Sequence, residues 1–274
     1  MASALGNLGG NYEIEDLNVY IGRMQKSVLD KMFFIDKVFD PFSTIVDFGC
    51  ANGEVIKALQ TLFGEYRYIG YDISEEMLCT ARENVPTAEF FSDWNEMKVD
   101  FSDSLLNISS ALHEVYSYCP QEEIDIFWQR VFGSGFKYIT MRDMMLSDAD
   151  QTEADAFWHS AIIEDTEYAD NLRDYEKVWG KITTRHDMVH YLLKYKYVEN
   201  WKREVRENYV PITIEELLKL VPDTYEITYL NHFTLPYTAW QIKNDFGIDL
   251  TTPTHIKLIL RRKDFVSEDA NEKR

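Results

Sequence analysis

Residues 45–54 read IVDFGCANGE, and this stretch determines what kind of fold the sequence encodes. An apolar run ending at Phe48 predicts a buried strand that carries one acid, Asp47. Two glycines follow, Gly49 and Gly53, but their spacing is not the dinucleotide fingerprint, and no Lys-Ser/Thr pair follows to make a phosphate loop. The turn therefore predicts close approach of the backbone to a ligand that is not held by its phosphates.

Strand and helix patterns alternate around this stretch. Besides the strand ending at Phe48, strands are predicted at 66–71, 89–92, 104–109 and 136–141, with helices at 53–63, 74–82 and 120–132. Such alternation predicts an α/β protein with a parallel sheet covered by helices on both faces. Two further strand patterns, at 225–232 and 256–261, would complete the sheet.

The same patterns divide the chain into segments. We expect an N-terminal helical segment, a ligand-binding core, a helical insertion without strands, the last two strands of the core, and a flexible tail. Their ranges are 1–40, 41–143, 144–210, 211–264 and 265–274. The insertion lies between the fifth and sixth strands, so it is expected to act as a lid over the strand ends.

Composition narrows the class of protein. The 274 residues carry a net charge of −19, which repels phosphate backbones and makes nucleic acid an unfavoured partner. The three cysteines form no Cys-x-x-Cys pair, so we expect neither a disulfide framework nor a zinc cluster. No signal-peptide pattern and no apolar run of membrane-spanning length is present, so the expectation is a cytoplasmic protein without a membrane partner. The sequence gives no indication of the oligomeric state.

Polar residues follow three of the predicted strands where ligands bind in open α/β sheets. Asp72 follows the second strand and is placed to accept hydrogen bonds from both hydroxyls of a ribose. Asp93 and Trp94 follow the third strand; an acid accepts from an adenine amino group, and an indole stacks on the ring. The alternative for both acids is ordinary turn chemistry, which also favours aspartate.

Taken together, these residues resemble the class I S-adenosylmethionine-dependent methyltransferases. The first motif of that family is an apolar strand with an acid followed by Gly-x-Gly-x-Gly, and residues 47–53 match it except that Ala51 replaces the middle glycine. An alanine that needs a positive φ there is strained. The resemblance covers about residues 20–143 and the last two strands. It implies a Rossmann-like, doubly wound, mostly parallel seven-stranded sheet with a helical insertion between strands 5 and 6.

The resemblance also implies a cofactor, S-adenosylmethionine, with S-adenosylhomocysteine as product, and no metal. Asp47 would face the amino group of the methionine moiety, directly or through water. The glycine turn would pass beneath the cofactor, and the loop after the fourth strand would line the methionyl and methyl end. The implied cofactor-binding residues are Asp47, Gly49, Cys50, Ala51, Gly53, Asp72, Ile73, Asp93, Trp94, Asn107 and Ser109.

Two residues are candidates for the chemistry. His113 lies just past the fourth strand, and an unperturbed imidazole titrates near neutral pH, so it is the best candidate for a general base. The alternative is that His113 sits on a helix and only makes structural hydrogen bonds. Arg142, at the end of the fifth strand, is placed to orient an acidic group of the substrate.

The insertion contains an abrupt reversal of charge. Residues 147–176 contain ten acids and one base, whereas residues 177–206 contain eight bases and three acids interleaved with aromatics. The basic half either binds an anionic or planar substrate or pairs with the acidic half. Within it, His186 and His190 are spaced as metal ligands on one helix face, but no third ligand is evident, so a packed or substrate-facing pair is preferred.

Three functional hypotheses follow. The leading one is a methyltransferase that acts on a small-molecule acceptor, because the surface is acidic and the lid is rich in aromatics. The first alternative is a methyltransferase of RNA, nucleotide or protein that uses the basic patch at 177–206. The second alternative is a non-catalytic protein that binds S-adenosylmethionine as a regulator or as a subunit of a complex.

Overall fold

A computed structural model describes Asp16, Gly22 and residues 27–265. It contains one seven-stranded sheet in the order β3-β2-β1-β4-β5-β7-β6. The strands are β1 Thr44–Phe48, β2 Arg67–Tyr71, β3 Glu89–Phe91, β4 Ser104–Ser109, β5 Tyr138–Met144, β6 Tyr225–Phe233 and β7 His255–Arg262. Only β7 runs antiparallel to its neighbours, so the predicted seven-stranded, mostly parallel sheet is confirmed.

Eleven α-helices accompany the sheet within the described residues. The first, α1, includes residues 27–31. The others are α2 Glu54–Leu62, α3 Glu75–Asn84, α4 Leu112–Tyr118, α5 Gln121–Gly133, α6 Ala156–Glu164, α7 Ala169–Trp179, α8 Arg185–Leu192, α9 Trp201–Glu204, α10 Ile214–Leu220 and α11 Pro236–Phe246. None of the described helices combines the length and the apolar composition that a bilayer crossing requires.

The central strands are buried on both faces because successive side chains point to opposite sides of a sheet. Ile45, Tyr68 and Leu105 pack on one face with the apolar stripes of α2 and α3. Their neighbours along the strands, such as Val46 and Ile69, pack on the other face with α5 and α10. This is the doubly wound arrangement expected from the alternation of strands and helices.

The order of the strands positions the functional site. The chain leaves β1 toward β2 on one side, and β4 pairs with β1 on the other, so the connections diverge at the carboxyl end of β1. In open α/β sheets this point of divergence leaves a crevice in which ligands bind. The IVDFGCANGE stretch lies at this crevice.

The segment between β5 and β6 has a hydrophobic core of its own. Helices α7 and α8 and the chain after α9 pack there with α11, which follows β6. The largest buried side chains of this second core include Tyr175, Met188, Tyr191, Tyr195, Tyr209 and Phe246. The core is continuous with α11, so the insertion is held against the strand ends by packing as well as by the chain that connects it.

Local signals explain most element boundaries. Ser74 caps α3 by accepting from the Met77 backbone N–H at 3.3 Å, as Ser before two glutamates predicts. The fifth strand starts at Tyr138, two residues later than expected, and the Lys137 backbone N–H just before it donates to the carbonyls of Phe101 and Ser104. Much of the predicted N-terminal helical segment and most of the predicted tail lie outside the described residues.

Candidate active site

A cavity of about 250 Å³ opens at the carboxyl ends of the parallel strands. From the sheet side it is bordered by Gly49, Ala51, Asp72, Ser109, Ser110, His113 and Arg142. From the opposite side it is covered by Leu193, Tyr197, Glu204, Glu207 and Tyr209 of the insertion and by Leu235 and Thr238 near the start of α11. The site is therefore built half from strand ends and half from the segment predicted to be a lid.

The glycine turn below this cavity is tight. Gly49 has a φ of 69° and donates its N–H to the Tyr71 carbonyl at 2.8 Å. A Cβ at position 49 would lie 2.8 Å from the Cβ of Ala111, so only glycine fits without a shift. Ala51 has a φ of 46°, so the strain anticipated for an alanine at this position is present.

Asp72 is fixed at the boundary of the cavity by backbone donors. Its carboxylate accepts from the N–H of Ala51 at 2.8 Å and of Ser74 at 2.9 Å. Burial raises the pKa of Asp72 to about 6, although these hydrogen bonds oppose the shift. A carboxylate held rigidly at the end of β2 is well placed to accept from ligand hydroxyls.

A second, smaller cavity of about 60 Å³ adjoins the first and shares Gly49, Asp72, Ala111 and Glu114 with it. Its remaining walls are Phe48, Tyr71, Ile73, Val115, Tyr118 and Cys119. These walls are mostly apolar, and such a slot suits a flat ring whose polar substituents point outward. Of the predicted residues, Ile73 lies here together with Gly49 and Asp72.

Asp47 and Asn107 lie behind the cavity rather than on its surface. Asn107 Nδ2 donates to Asp47 at 2.7 Å, and Thr140 Oγ1 donates to Asn107 Oδ1 at 3.0 Å. Burial raises the pKa of Asp47 to about 6, while the bond from Asn107 and the charge of Lys31 oppose that rise. The two residues thus belong to a buried network that ties β1, β4 and β5 together and do not line the cavity, so for Asp47 only the expected contact through water stays a prediction.

Cys50 and Gly53 shape the turn without lining either cavity. The Cys50 N–H donates to the Tyr71 carbonyl at 3.1 Å, and burial raises the pKa of its thiol well above the usual value, so the thiol is unreactive. Gly53 has a φ of 80° and starts α2, where a Cβ would lie 3.3 Å from the Cβ of Ala81.

Asp93 and Trp94 differ from their expected roles at an adenine. Asp93 accepts from the Asn95 backbone N–H at 2.9 Å and caps a 3-10 turn outside both cavities. Trp94 is buried in the core, where its ring meets Tyr71 edge to face at 5.5 Å and Phe136 at 6.2 Å. Because the indole is enclosed by other rings, it has no face to offer an adenine in this arrangement.

His113 occupies the first turn of α4, and its ring is fixed by Asp143. Nδ1 lies 2.7 Å from Asp143 Oδ1, and the same carboxylate accepts from the Leu112 and Met144 backbone N–H groups. Burial alone would lower the pKa of His113, but the Asp143 and Glu207 carboxylates outweigh it and raise the pKa to about 9. At this pKa the imidazole carries a charge at neutral pH, which favours a hydrogen-bond donor over the expected general base.

Arg142 lines the cavity, but its guanidinium is already engaged. Nε donates to Asp30 at 2.8 Å and Nη1 to Ser110 Oγ at 2.9 Å, and Lys257 contacts the same Asp30 carboxylate. The ion pair joins the segment that follows β4, the end of β5 and α1. Nε and Nη1 of Arg142 therefore hold the cavity wall, and the orientation of an acidic substrate group by Arg142 stays a prediction.

Lys31 is a cavity residue that the sequence patterns did not reveal. It lies at the end of the described part of α1, is buried, and borders the cavity near Asp47 and Arg142. Within residues 27–265 no acceptor hydrogen-bonds its ammonium group. Burial and the Arg142 charge lower the pKa of Lys31. Its one sequence signal is a lysine among the apolar positions of an amphipathic helix.

The insertion contributes a second unforeseen group, the charged residues Arg203, Glu204 and Glu207. All three are buried at the cavity. Arg203 lies 2.8 Å from Glu114 and 2.7 Å from Glu207. The sequence placed Arg203 and Glu204 in the charged block at 177–206 without indicating this site, and the packing of the insertion on α4 turns all three inward.

The remaining bases of residues 177–206 are largely paired or buried. The ion pairs include Lys177–Asp174, Lys181–Glu176 and Lys196–Asp245, each at 2.7 Å. Lys194 is buried and lies over the rings of Trp179 and Tyr209. These contacts support the alternative that the opposite charges of the insertion serve its own packing.

His186 and His190 do not form a metal centre in the described part of the chain. His190 is buried, with Nδ1 3.1 Å from the Tyr175 hydroxyl and Nε2 accepting from the Tyr209 N–H at 3.3 Å. Across Asp16, Gly22 and residues 27–265, no cluster of three or more His, Cys, Asp or Glu side chains is arranged to hold a metal ion. His190 is therefore a packed core histidine.

Comparisons with known proteins agree with this geometry at the level of the domain. The family described as a methyltransferase domain matches residues 45–133. No curated protein sequence matches the chain.

Solved structures with a similar backbone include two S-adenosylmethionine-dependent methyltransferases. The one from Anabaena variabilis has 14% identity, the match covers 93% of this chain and 99% of that chain, and the TM-score is 0.48. The one from Mesorhizobium loti has 16% identity, the match covers 86% of this chain and 97% of that chain, and the TM-score is 0.49. A third is the plantazolicin methyltransferase BamL, solved in complex with a triazolic desmethylPZN analog and SAH; the identity is 11%, the match covers 90% of this chain and 86% of that chain, and the TM-score is 0.45. Similarity at this level identifies neither the acceptor nor the reaction of this chain.

Proposed function

We propose that this chain, whose residues 45–133 match a methyltransferase domain, is a class I S-adenosylmethionine-dependent methyltransferase and transfers a methyl group from S-adenosylmethionine to a small-molecule acceptor. The observation that carries the proposal is the cavity at the strand ends. It begins at the glycine turn of that domain and ends under the insertion, so cofactor and acceptor would meet inside one enclosure.

The residues present fit S-adenosylmethionine. Gly49 leaves space that a Cβ would fill, Asp72 offers a fixed carboxylate to ribose hydroxyls, and the apolar slot beside Ile73 suits the adenine. Lys31 would present its ammonium group to the carboxylate of the methionyl end. The Ser109 hydroxyl, buried at the cavity without a hydrogen-bond partner in the described structure, is a further polar group for that end. The cofactor supplies an electrophilic methyl group on a sulfonium.

The enclosure favours a small acceptor. At about 250 Å³, the cavity is close to the lower end of small-molecule sites. Leu193, Tyr197 and Tyr209 cover it from the insertion, which excludes water and strengthens electrostatic interactions inside. The alternative of a polyanionic substrate has less support because the bases at 177–206 are largely engaged by acids or buried.

Calorimetry tests the cofactor directly. S-adenosylmethionine and S-adenosylhomocysteine should both release or absorb heat on binding, and Asp72→Ala should weaken both by about 10- to 100-fold, the worth of a charge-assisted hydrogen bond. Glu65→Ala, which removes an exposed acid before β2, is the matched control and should bind like the wild type. Absence of binding by either ligand would contradict the proposal.

The acceptor is tested separately. Incubation with methyl-labelled S-adenosylmethionine and a pool of small metabolites should label a small molecule, with no label entering RNA or protein. Salt-dependent retention on a polyanion column together with labelled RNA would favour the alternative that uses residues 177–206.

A further inference from the structure

Two oppositely charged side chains face each other in the cavity without touching. His113 Nε2 and Glu207 Oε2 lie 4.0 Å apart, beyond hydrogen-bonding distance. Both residues are buried and both border the cavity, one from α4 and the other from the insertion. The gap between them is therefore a polar position within the cavity that protein encloses.

His113 is held with its free nitrogen toward this gap. Nδ1 is bound to Asp143, so Nε2 is the nitrogen that faces Glu207. The ring also packs edge to face on Tyr209 with the centroids 5.5 Å apart, which fixes its plane. With Asp143 and Glu207 both acidic, the imidazole carries a proton on Nε2 at neutral pH and acts as a donor.

Glu207 is held with one oxygen toward the same gap. Its Oε1 accepts from the Tyr118 hydroxyl at 2.8 Å and from Arg203 at 2.7 Å. These two bonds fix the carboxyl group from opposite elements, α4 and α9. Oε2 receives no hydrogen bond from the described residues and is left to face His113.

The other charged groups around Glu207 already have partners. Arg203 is bonded to Glu114 as well, Glu204 is bonded to the Tyr209 hydroxyl, and Lys194 donates to the Glu207 backbone carbonyl. Burial and Glu114 raise the pKa of Glu207 to about 7, with Arg203 and His113 opposing. The carboxylate is thus basic enough to take a proton near neutral pH.

We infer that His113 and Glu207 form the acceptor subsite, that the subsite takes a neutral hydroxyl group, and that Glu207 Oε2 accepts the hydroxyl proton. The inference rests on the proposed methyltransferase function and names its substrate class. A hydroxyl oxygen accepts from His113 Nε2 and donates to Glu207 Oε2, so it satisfies both sides of the gap at once.

Charged acceptor groups satisfy only one side of the gap. A carboxylate would meet the Glu207 charge in a buried site, and an ammonium group would meet the charge of His113 and also lacks a lone pair for attack. A neutral alcohol or phenol avoids both conflicts.

The transfer balances without a further reactant. The acceptor O–H bond breaks and its proton goes to Glu207, while the oxygen uses an electron pair to form the O–CH₃ bond and the pair of the broken S–CH₃ bond stays on sulfur. The protonated Glu207 then returns its proton to solvent when product leaves. His113 keeps its proton throughout and stabilises the developing negative charge on the oxygen.

The first experiment needs no turnover. Benzyl alcohol, benzylammonium and benzoate share one ring and differ in charge, and each is titrated into the S-adenosylhomocysteine complex while the His113 ¹⁵N and Glu207 ¹³C carboxyl NMR signals are followed. We expect benzyl alcohol to shift both signals and the two ions to leave them in place. Shifts by benzoate or benzylammonium, or no shift by benzyl alcohol, would overturn the hydroxyl assignment.

The second experiment tests Glu207 as the proton acceptor, with the same alcohol as methyl acceptor. Glu207→Gln keeps the size of the side chain and should lower kcat by about 100- to 10,000-fold, the usual worth of a general base. Glu164→Gln, the same change at an exposed position at the end of α6, is the control. In the wild type kcat/KM should rise with pH through about 7, and that rise should be lost in Glu207→Gln.

Two results separate this inference from the proposed function. If S-adenosylhomocysteine binds to Glu207→Gln as to the wild type and only transfer is lost, both stand. If Glu207→Gln retains the wild-type activity within about threefold, Glu207 is not the base and only this inference fails. The same holds if the rise of wild-type kcat/KM with pH lies near pH 9. Loss of cofactor binding by the wild type itself would instead reject the function.

Discussion

Replacing His113 by glutamine removes a buried imidazolium from beside Asp143, and the cost of that change should depend on pH. The carboxylates raise the pKa of His113 from 6.5 to about 9 in the folded protein. Each pKa unit corresponds to about 1.4 kcal/mol, so the charged ring stabilises the fold by about 3 kcal/mol. Asp143 keeps its hydrogen bonds from the backbone of Leu112 and Met144 in the variant.

The direction in which stability changes with pH follows from the direction of the His113 pKa shift. Because the folded pKa lies above the unfolded one, the contribution is fully present below pH 6.5 and is lost as the pH rises through 9. The difference in unfolding free energy between wild type and His113→Gln should therefore shrink by about 3 kcal/mol across this window. Burial lowers the pKa of Lys194 to about 7, which acts in the opposite direction, so the wild-type curve alone is not diagnostic.

Urea unfolding followed by circular dichroism at pH 6, 7, 8 and 9 measures this difference. The control is His159→Gln on α6, outside both cavities, which reports the loss of an imidazole elsewhere. A difference between wild type and His113→Gln that stays constant from pH 6 to 9 would refute the argument that His113 is charged in the native state. It would also restore His113 as the candidate base.

Two further predictions concern the cofactor half of the site. Gly49→Ala should lower the unfolding free energy by about 2–5 kcal/mol, because alanine is strained at a φ of 69° and its Cβ would press on Ala111. The control is Gly133→Ala, which has open space around it and should be neutral or stabilising in the same urea measurement. Equal effects of the two substitutions would contradict the steric explanation. Lys31→Met should weaken S-adenosylhomocysteine binding by about 10-fold or more in calorimetry, because it removes a partner for the ligand carboxylate. It should also raise the melting temperature, because it removes a buried charge. Unchanged affinity would place the ligand carboxylate elsewhere.

The sequence by itself was sufficient to predict the strands of the sheet and the helices that cover it. Strands β1 and β4 cover the residues that their apolar runs predict. Ser74 caps α3, as the two glutamates after it predict. The sequence also predicted the tight turn at Gly49 and the acid Asp72 directly after the second strand. All of these features depend on residues within one element or one turn, where the spacing of apolar side chains and the freedom of glycine act directly.

The chemistry of the site was decided by contacts between distant segments. Glu207 lies 94 positions after His113, and Asp30 lies 112 positions before Arg142, yet these pairs set the charge of the imidazole and engage the guanidinium. Trp94 follows a strand end as an adenine-binding residue would, but packing turns its ring into the core.

The physical reason is that a local pattern fixes the backbone at a position, whereas a pKa or an ion pair depends on which other groups share a buried space. That sharing is created when the insertion folds onto the strand ends, and short-range spacing in the sequence does not encode it. The sequence therefore determined the sheet and the turn of this protein, and the tertiary structure alone determined which residues meet in the cavity.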